Sequence, residues 1–72
     1  MEYSKSIQNH IKRVEGQVRG VSKMIIEGDS DTKIMTQLQA SISSLESLKT
    51  ELVKRQMKET ILESVKNTLG VE

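Results

Sequence analysis

The chain has 72 residues, a net charge of +1, and no cysteine, proline, phenylalanine or tryptophan. A chain of this length makes one small domain, and without cysteine neither a disulfide nor a thiolate metal site can reinforce its core. No apolar run is long enough to span a membrane and the polar N-terminus lacks the apolar core of a signal peptide, so we expect a soluble, cytoplasmic protein with no membrane partner.

The first predicted element is an amphipathic helix over residues 4–27. Its apolar residues alternate spacings of four and three, which is the repeat of a supercoiled helix seam. These residues are Ile7, Ile11, Val14, Val18, Val21 and Ile25. We therefore expect this seam to face the rest of the protein.

Basic residues lie opposite this seam when successive residues are placed about 100° apart. They are Lys5, Lys12, Arg19 and Lys23, with Arg13 nearby. Gly16 and Gly20 fall on the same outward side, although each weakens a helix by about 1 kcal/mol relative to alanine. Three interpretations stay open: a phosphate backbone approaches the glycines, the basic side is simply solvated, or another helix packs on the glycines.

A turn over residues 28–30 and a long helix over 31–67 follow. Gly28 suits the left-handed position after a helix, and Asp29 or Ser30 can cap the next helix. The second helix continues the apolar stripe and then carries it onto a rotated side. The stripe comprises Ile34, Leu38, Leu45, Leu48 and Leu52, followed by Val53, Met57, Ile61 and Val65.

The predicted fold is an all-α antiparallel helical hairpin with unequal arms. A first helix of about 36 Å covers only part of a second helix of about 55 Å. The apolar stripe beyond Leu52 is therefore uncovered in a single chain. We expect two hairpins to form a four-helix bundle and two such dimers to form a tetramer.

The segment "RVEGQVRGVSKMI", followed by "MTQLQA", resembles the signature of the copper-sensitive operon repressor family, whose relatives sense nickel or cobalt, persulfide and formaldehyde. The resemblance runs from about Ile7 to about Ile61. It implies an all-α tetrameric repressor that binds operator DNA without a helix-turn-helix. It also implies a short third helix, which this chain carries in reduced form or not at all.

The family's Cys-His-Cys sensing positions align with Asp31, Gln56 and Thr60. Their oxygen and amide donors do not suit Cu(I), so we expect no metal and no cofactor. Gln56 and Thr60 share a helical face that could bind a small polar ligand, but the simpler interpretation is that both are ordinary polar residues and that Asp31 favours the helix dipole. Three methionines could suggest a thioether copper site, but at helical spacing they are expected in the core. They are Met24, Met35 and Met57.

The DNA-binding prediction rests on the basic side of the first helix and on the resemblance. His10 aligns with a DNA-contacting arginine of the family and Ser47 with a second basic residue, for which Lys49 is a substitute. The candidate DNA contacts are Lys5, His10, Lys12, Arg13, Arg19, Lys23 and Lys49, with Gly16 and Gly20 as points of close approach.

We therefore predict a small transcriptional repressor that binds operator DNA as a homotetramer and has lost the family's sensing site, with its effector unknown. The alternative is a helical protein–protein interaction module that keeps the bundle and no longer binds DNA. No nucleophile and base pair is recognisable, so an enzyme is not expected.

Overall fold

The computed structural model describes residues 2–70. That range contains two helices and no strand: α1 (Lys5–Ile26) and α2 (Asp31–Leu69). The two helices pack side by side over the length of α1, and the molecule is 62 Å long and 19 × 12 Å across. The predicted all-α helical hairpin is confirmed. The third helix of relatives would follow residue 70, outside the described residues.

Local hydrogen bonds determine where α1 begins and ends. The Ser4 hydroxyl accepts a hydrogen bond from the Ile7 N–H at 3.2 Å and so caps the first turn. At the other end the Gly28 N–H donates to the Ile25 carbonyl at 3.1 Å, and the Asp29 N–H donates to the Met24 carbonyl at 2.9 Å. This pair of bonds is a Schellman motif. Gly28 has φ of 73°, the left-handed conformation that reverses the chain.

A serine also begins α2. The Ser30 hydroxyl accepts from the Lys33 N–H at 3.3 Å, so Ser30 and not Asp29 is the cap. Asp31 lies in the first turn, where its negative charge faces the positive end of the helix dipole. The helix ends at Gly70, whose φ is 70°. With 39 residues α2 is about 58 Å long, against about 33 Å for the 22 residues of α1.

The helices meet along positions that alternate three and four residues apart, the heptad spacing of paired helices. On α1 the buried or half-buried heptad positions at this interface are Ile7, His10, Val14, Gln17, Val21 and Met24, and Gly20 beside them is half-buried as well. On α2 they are Ile34, Gln37, Ser41, Ser44, Leu48, Glu51 and Arg55. Among residues 2–70 the buried apolar side chains are Val14, Val21 and Leu48, and none of them is fully buried. So small a core is marginal for an isolated hairpin.

The expected single apolar seam of α1 is wrong in one respect. Ile7, Val14 and Val21 do face α2, but the alternate members are exposed. The exposed members are Ile11, Val18 and Ile25. The reason is that one neighbouring helix covers only a limited arc of α1, and each of these three side chains points about 40° to 60° away from a buried valine one turn along the helix, toward one flank.

The exposed apolar residues of both helices lie on one side of the hairpin. Each of these residues follows an interhelical position by one. One residue along an α-helix turns the side-chain direction by about 100°, and in two antiparallel helices this turn points toward the same side of the pair. We call this side the apolar face. It consists of Ile11, Val18 and Ile25 on α1 and Met35, Leu38, Ile42, Leu45 and Leu52 on α2, all exposed.

The last part of α2 extends past α1. Every residue from 56 to 70 is exposed, including the apolar Met57, Ile61 and Val65. Met35 and Met57, which were expected in the core, are exposed in the single hairpin and can enter a core only where another chain covers them, while Met24 is half-buried. Neither helix is apolar enough along its length to cross a bilayer.

Arg55 ties the segment before α1 to α2. Its guanidinium lies 4.5 Å from the centroid of the Tyr3 ring and donates to the Glu2 carbonyl at 3.3 Å. It also pairs with Glu59, one turn further along α2, at 3.3 Å. The start of α1 is thereby held against α2.

Candidate nucleic-acid interface

The side of the hairpin opposite the apolar face is built only from polar, small and basic residues. Its residues precede each interhelical position by one, which places them together on the other flank. We call it the polar face. It consists of Ser6, Asn9, Arg13, Gly16, Gly20 and Lys23 on α1 and Lys33, Thr36, Ala40, Ser43, Ser47, Thr50 and Lys54 on α2. It contains no acidic residue and no apolar side chain larger than alanine.

Most of the basic side chains predicted from sequence are exposed and continuous with this face. Lys5, Lys12 and Arg19 line the back of α1, next to Gly16, while Arg13 and Lys23 belong to the polar face itself. Lys23 approaches Glu27 at 4.0 Å, and both side chains are well exposed, so this pair is weak. Within residues 2–70 the other four form no ion pair, and their charges are available to a ligand.

Neither glycine is required by packing inside the hairpin. A Cβ added at Gly16 would meet only the Arg19 guanidinium, at 3.8 Å, and a Cβ at Gly20 would meet the Gln37 amide nitrogen at 3.5 Å. Both are ordinary van der Waals contacts. Packing of α2 on α1 therefore does not explain the glycines, and both lie on the polar face, where an external ligand can approach the backbone.

The structure does not place His10 with the other candidate contacts. Its side chain is buried between the helices, with the residue only 6% exposed. The imidazole Nδ1 lies 2.5 Å from a Glu51 carboxylate oxygen, and Nε2 lies 2.9 Å from the Ser44 carbonyl oxygen. The predicted contact of His10 with DNA does not fit this position, because the side chain faces the interhelical seam.

Lys49 is also separated from the other basic residues. It follows the interhelical Leu48 by one residue and is exposed on the side of the apolar face, not the polar face. Its predicted role as a substitute for a basic residue at Ser47 therefore does not fit the geometry, since Ser47 lies on the opposite side.

Sequence inspection missed two basic residues of the polar face, Lys33 and Lys54. Lys54 and the neighbouring Lys58 line a surface cleft beside Ser4 and Ser6, so they extend the basic surface onto α2 at the start of α1. Lys33 could have been found from sequence, because it precedes the predicted stripe residue Ile34 by one, but Lys54 precedes Arg55, which only the structure places between the helices.

The aligned sensing positions do not form a site within one chain. Asp31 begins α2, and Gln56 lies about 37 Å further along the same helix. Thr60 is one turn beyond Gln56, and its hydroxyl donates to the Gln56 carbonyl at 3.0 Å. Within residues 2–70 no three His, Asp or Glu side chains come together in a way that could hold a metal ion. The donors at these positions, a carboxylate, an amide and a hydroxyl, do not fit a soft metal.

Comparison with known proteins gives one match. A family described as metal-sensitive transcriptional repressor matches residues 3–72, nearly the whole chain. The comparisons with curated proteins and with solved structures give no match.

Proposed function

We propose that this chain, which belongs to the metal-sensitive transcriptional repressor family, binds operator DNA as a homotetramer through its polar face. The family is one of transcriptional regulators and not of enzymes. In that role this chain has a basic surface for DNA, an apolar surface for self-association, and no thiol sensing site.

The observation that carries the proposal is the composition of the polar face. Phosphate groups need only positive point charges for contact, and Arg13, Lys23, Lys33 and Lys54 supply them on a face that itself contains no acidic residue. Gly16 and Gly20 remove side chains from the same surface, so a phosphate backbone can come close to α1. A merely solvated surface gives no reason for the glycines, which weaken the helix.

The apolar face supports self-association. Exposed side chains on α1 and α2 form one continuous surface, and a second hairpin placed against it gives a four-helix bundle. The uncovered end of α2 offers Met57, Ile61 and Leu62, which line a surface groove, for contact with a further chain. In a two-fold dimer the two polar faces point away from each other, toward solvent.

The donor chemistry supports loss of the family's sensing site. The chain has no cysteine, so persulfide and thiolate–copper chemistry both lack their reacting atom. Asp31, Gln56 and Thr60 retain the aligned positions only as ordinary polar residues. The protein therefore does not release DNA in response to Cu(I).

The proposal is tested by binding to the DNA that lies upstream of the protein's own gene. Fluorescence anisotropy at low salt, with sedimentation of the complex, should show a tetramer bound to this duplex more tightly than to a scrambled duplex of equal length. A folded tetramer that binds neither duplex at low salt would refute DNA binding. That result would favour the alternative, a helical protein–protein interaction module.

A further inference from the structure

Gly16 and Gly20 lie one turn apart on α1, and each has a side-chain nitrogen beside the place where a Cβ would stand. At Gly16 it is a guanidinium nitrogen of Arg19, 3.8 Å from that place, and at Gly20 it is the amide nitrogen of Gln37, 3.5 Å from it. Cβ positions one turn apart on a helix are about 5–6 Å from each other. The two glycines therefore leave one gap over the backbone of α1, with a hydrogen-bond donor at each end.

Gln37 reaches this gap from α2. The residue is half-buried between the helices, and its amide Nε2 donates to the Gln17 carbonyl at 3.5 Å. Bonds of this kind are commonly about 2.9–3.0 Å long, so this one is weak. A side-chain amide nitrogen carries two hydrogens, and the bond to Gln17 uses one of them. Within residues 2–70 the second hydrogen has no acceptor, so it is available to a ligand at Gly20.

Arg19 supplies a positive charge at the other end of the gap. The residue is exposed, and among the described residues it forms no ion pair, although Glu15 precedes it by one turn. Its guanidinium lies beside Gly16 instead. A guanidinium stays charged at all relevant pH values, and its N–H groups match the oxygens of a phosphate. This end of the gap therefore favours an anion.

The gap opens toward the polar face. Thr36 and Ala40 lie on that face of α2, on either side of Gln37 along the helix. The Thr36 hydroxyl donates to the carbonyl one turn before it, at 2.9 Å, so its side chain is held against α2. Neither residue has a long side chain, and a group as large as a phosphate can enter the gap from outside.

We propose that one phosphate group of DNA binds over Gly16 and Gly20 and is held by the Arg19 guanidinium and the Gln37 side-chain amide. This inference rests on the proposed function, because it names the residues that hold one phosphate beside the polar face. The two unesterified oxygens of a phosphate diester accept hydrogen bonds, one from each donor. A methyl group at either glycine would occupy the space of the phosphate. Gln37 is thus a DNA contact that carries no charge.

Gln37→Leu tests the amide, since leucine fills a similar volume without a donor. Fluorescence anisotropy with the DNA upstream of the protein's own gene should show binding at least about tenfold weaker than that of the wild type, because a hydrogen bond to a charged group is lost. The slope of log K against log salt should stay that of the wild type, because no charge is removed. Gln56→Leu is the matched control on the exposed end of α2 and should change neither quantity.

The outcomes separate this site from the proposed function. Wild-type affinity in Gln37→Leu overturns the phosphate site while DNA binding by the wild type still stands. A reduced salt slope in Gln37→Leu also overturns it, because that result means a distorted surface that has lost several phosphate contacts. A wild type that binds no DNA refutes the proposed function, and the phosphate site with it.

Gly20→Ala gives a second readout that a loss of stability cannot imitate. Alanine is the better helix former, and its methyl group would meet the Gln37 amide at 3.5 Å, an ordinary contact distance. This variant should therefore resist urea better than the wild type and yet bind DNA more weakly, with its sedimentation unchanged. Wild-type DNA affinity would overturn the site. A raised Kd of self-association would also overturn it, because another helix would then pack on the glycines.

Discussion

Replacement of Leu45 by alanine tests whether the apolar face is the surface on which a second copy packs. Leu45 is 45% exposed in the hairpin, so a partner can still remove about half of its side chain from water. Full burial of a leucine is worth about 1.5–3 kcal/mol, which gives about 1 kcal/mol for the exposed half. A two-fold interface contains Leu45 twice, so Leu45→Ala should cost about 2 kcal/mol and raise the dimer Kd about 30-fold.

Sedimentation equilibrium over a range of concentrations measures this change, and circular dichroism checks that the helices persist. Ile26→Ala is the matched control, because Ile26 is 81% exposed at the last turn of α1 and lies outside the apolar face. Its Kd should equal that of the wild type. An unchanged Kd for Leu45→Ala, or an equally raised Kd for Ile26→Ala, would refute the assignment of this interface.

Three further predictions concern two glycines and the sensing positions. Gly28→Ala should destabilise the protein by about 1 kcal/mol, because φ of 73° is left-handed; Gly16→Ala should stabilise it by about 1 kcal/mol yet weaken DNA binding. Urea unfolding and anisotropy measure the two effects, and tighter DNA binding by Gly16→Ala would contradict close approach of the backbone. The triple variant Asp31→Cys, Gln56→His, Thr60→Cys should bind Cu(I) between chains, and competition with a chelator measures this binding. A folded triple variant that does not bind Cu(I) would disprove the alignment of the sensing positions or the oligomer geometry.

The chain reversal and helix starts could be predicted from sequence because their causes are local. Gly28 is needed where the backbone turns left-handed, and a serine hydroxyl at position 30 reaches an N–H three residues away. The all-α hairpin follows from the absence of helix breakers and from the apolar repeat. No tertiary information is needed for these conclusions.

The division of the apolar residues between two surfaces could not be predicted in the same way. The repeat shows that Ile11 and Val14 lie near each other on α1, but not which of them α2 covers. That choice depends on where the second helix sits around the first. The same uncertainty applies to His10, whose position looks like the edge of a basic surface until the seam between the helices is located.

The part of the polar face on α2 could not be predicted as a whole from sequence, for a related reason. Lys33 and Lys54 are far apart in the sequence and belong to no basic run. They join Arg13 only because the helices are antiparallel and each residue precedes an interhelical position by one. Charge counted along the chain therefore identified the basic side of α1 but not its continuation on α2.

The salt dependence of DNA binding by the double variant Arg13→Gln, Lys54→Gln tests the central claim most directly. If both residues bind phosphates, the slope of log K against log salt should fall by about 0.9 for each phosphate that is no longer neutralised, at every DNA sequence tested. Lys49→Gln with Lys66→Gln removes the same charge away from the polar face and should leave the slope close to that of the wild type. Equal slopes for the wild type and the polar-face variant, or an equal reduction in both double variants, would contradict the assignment of the polar face to DNA.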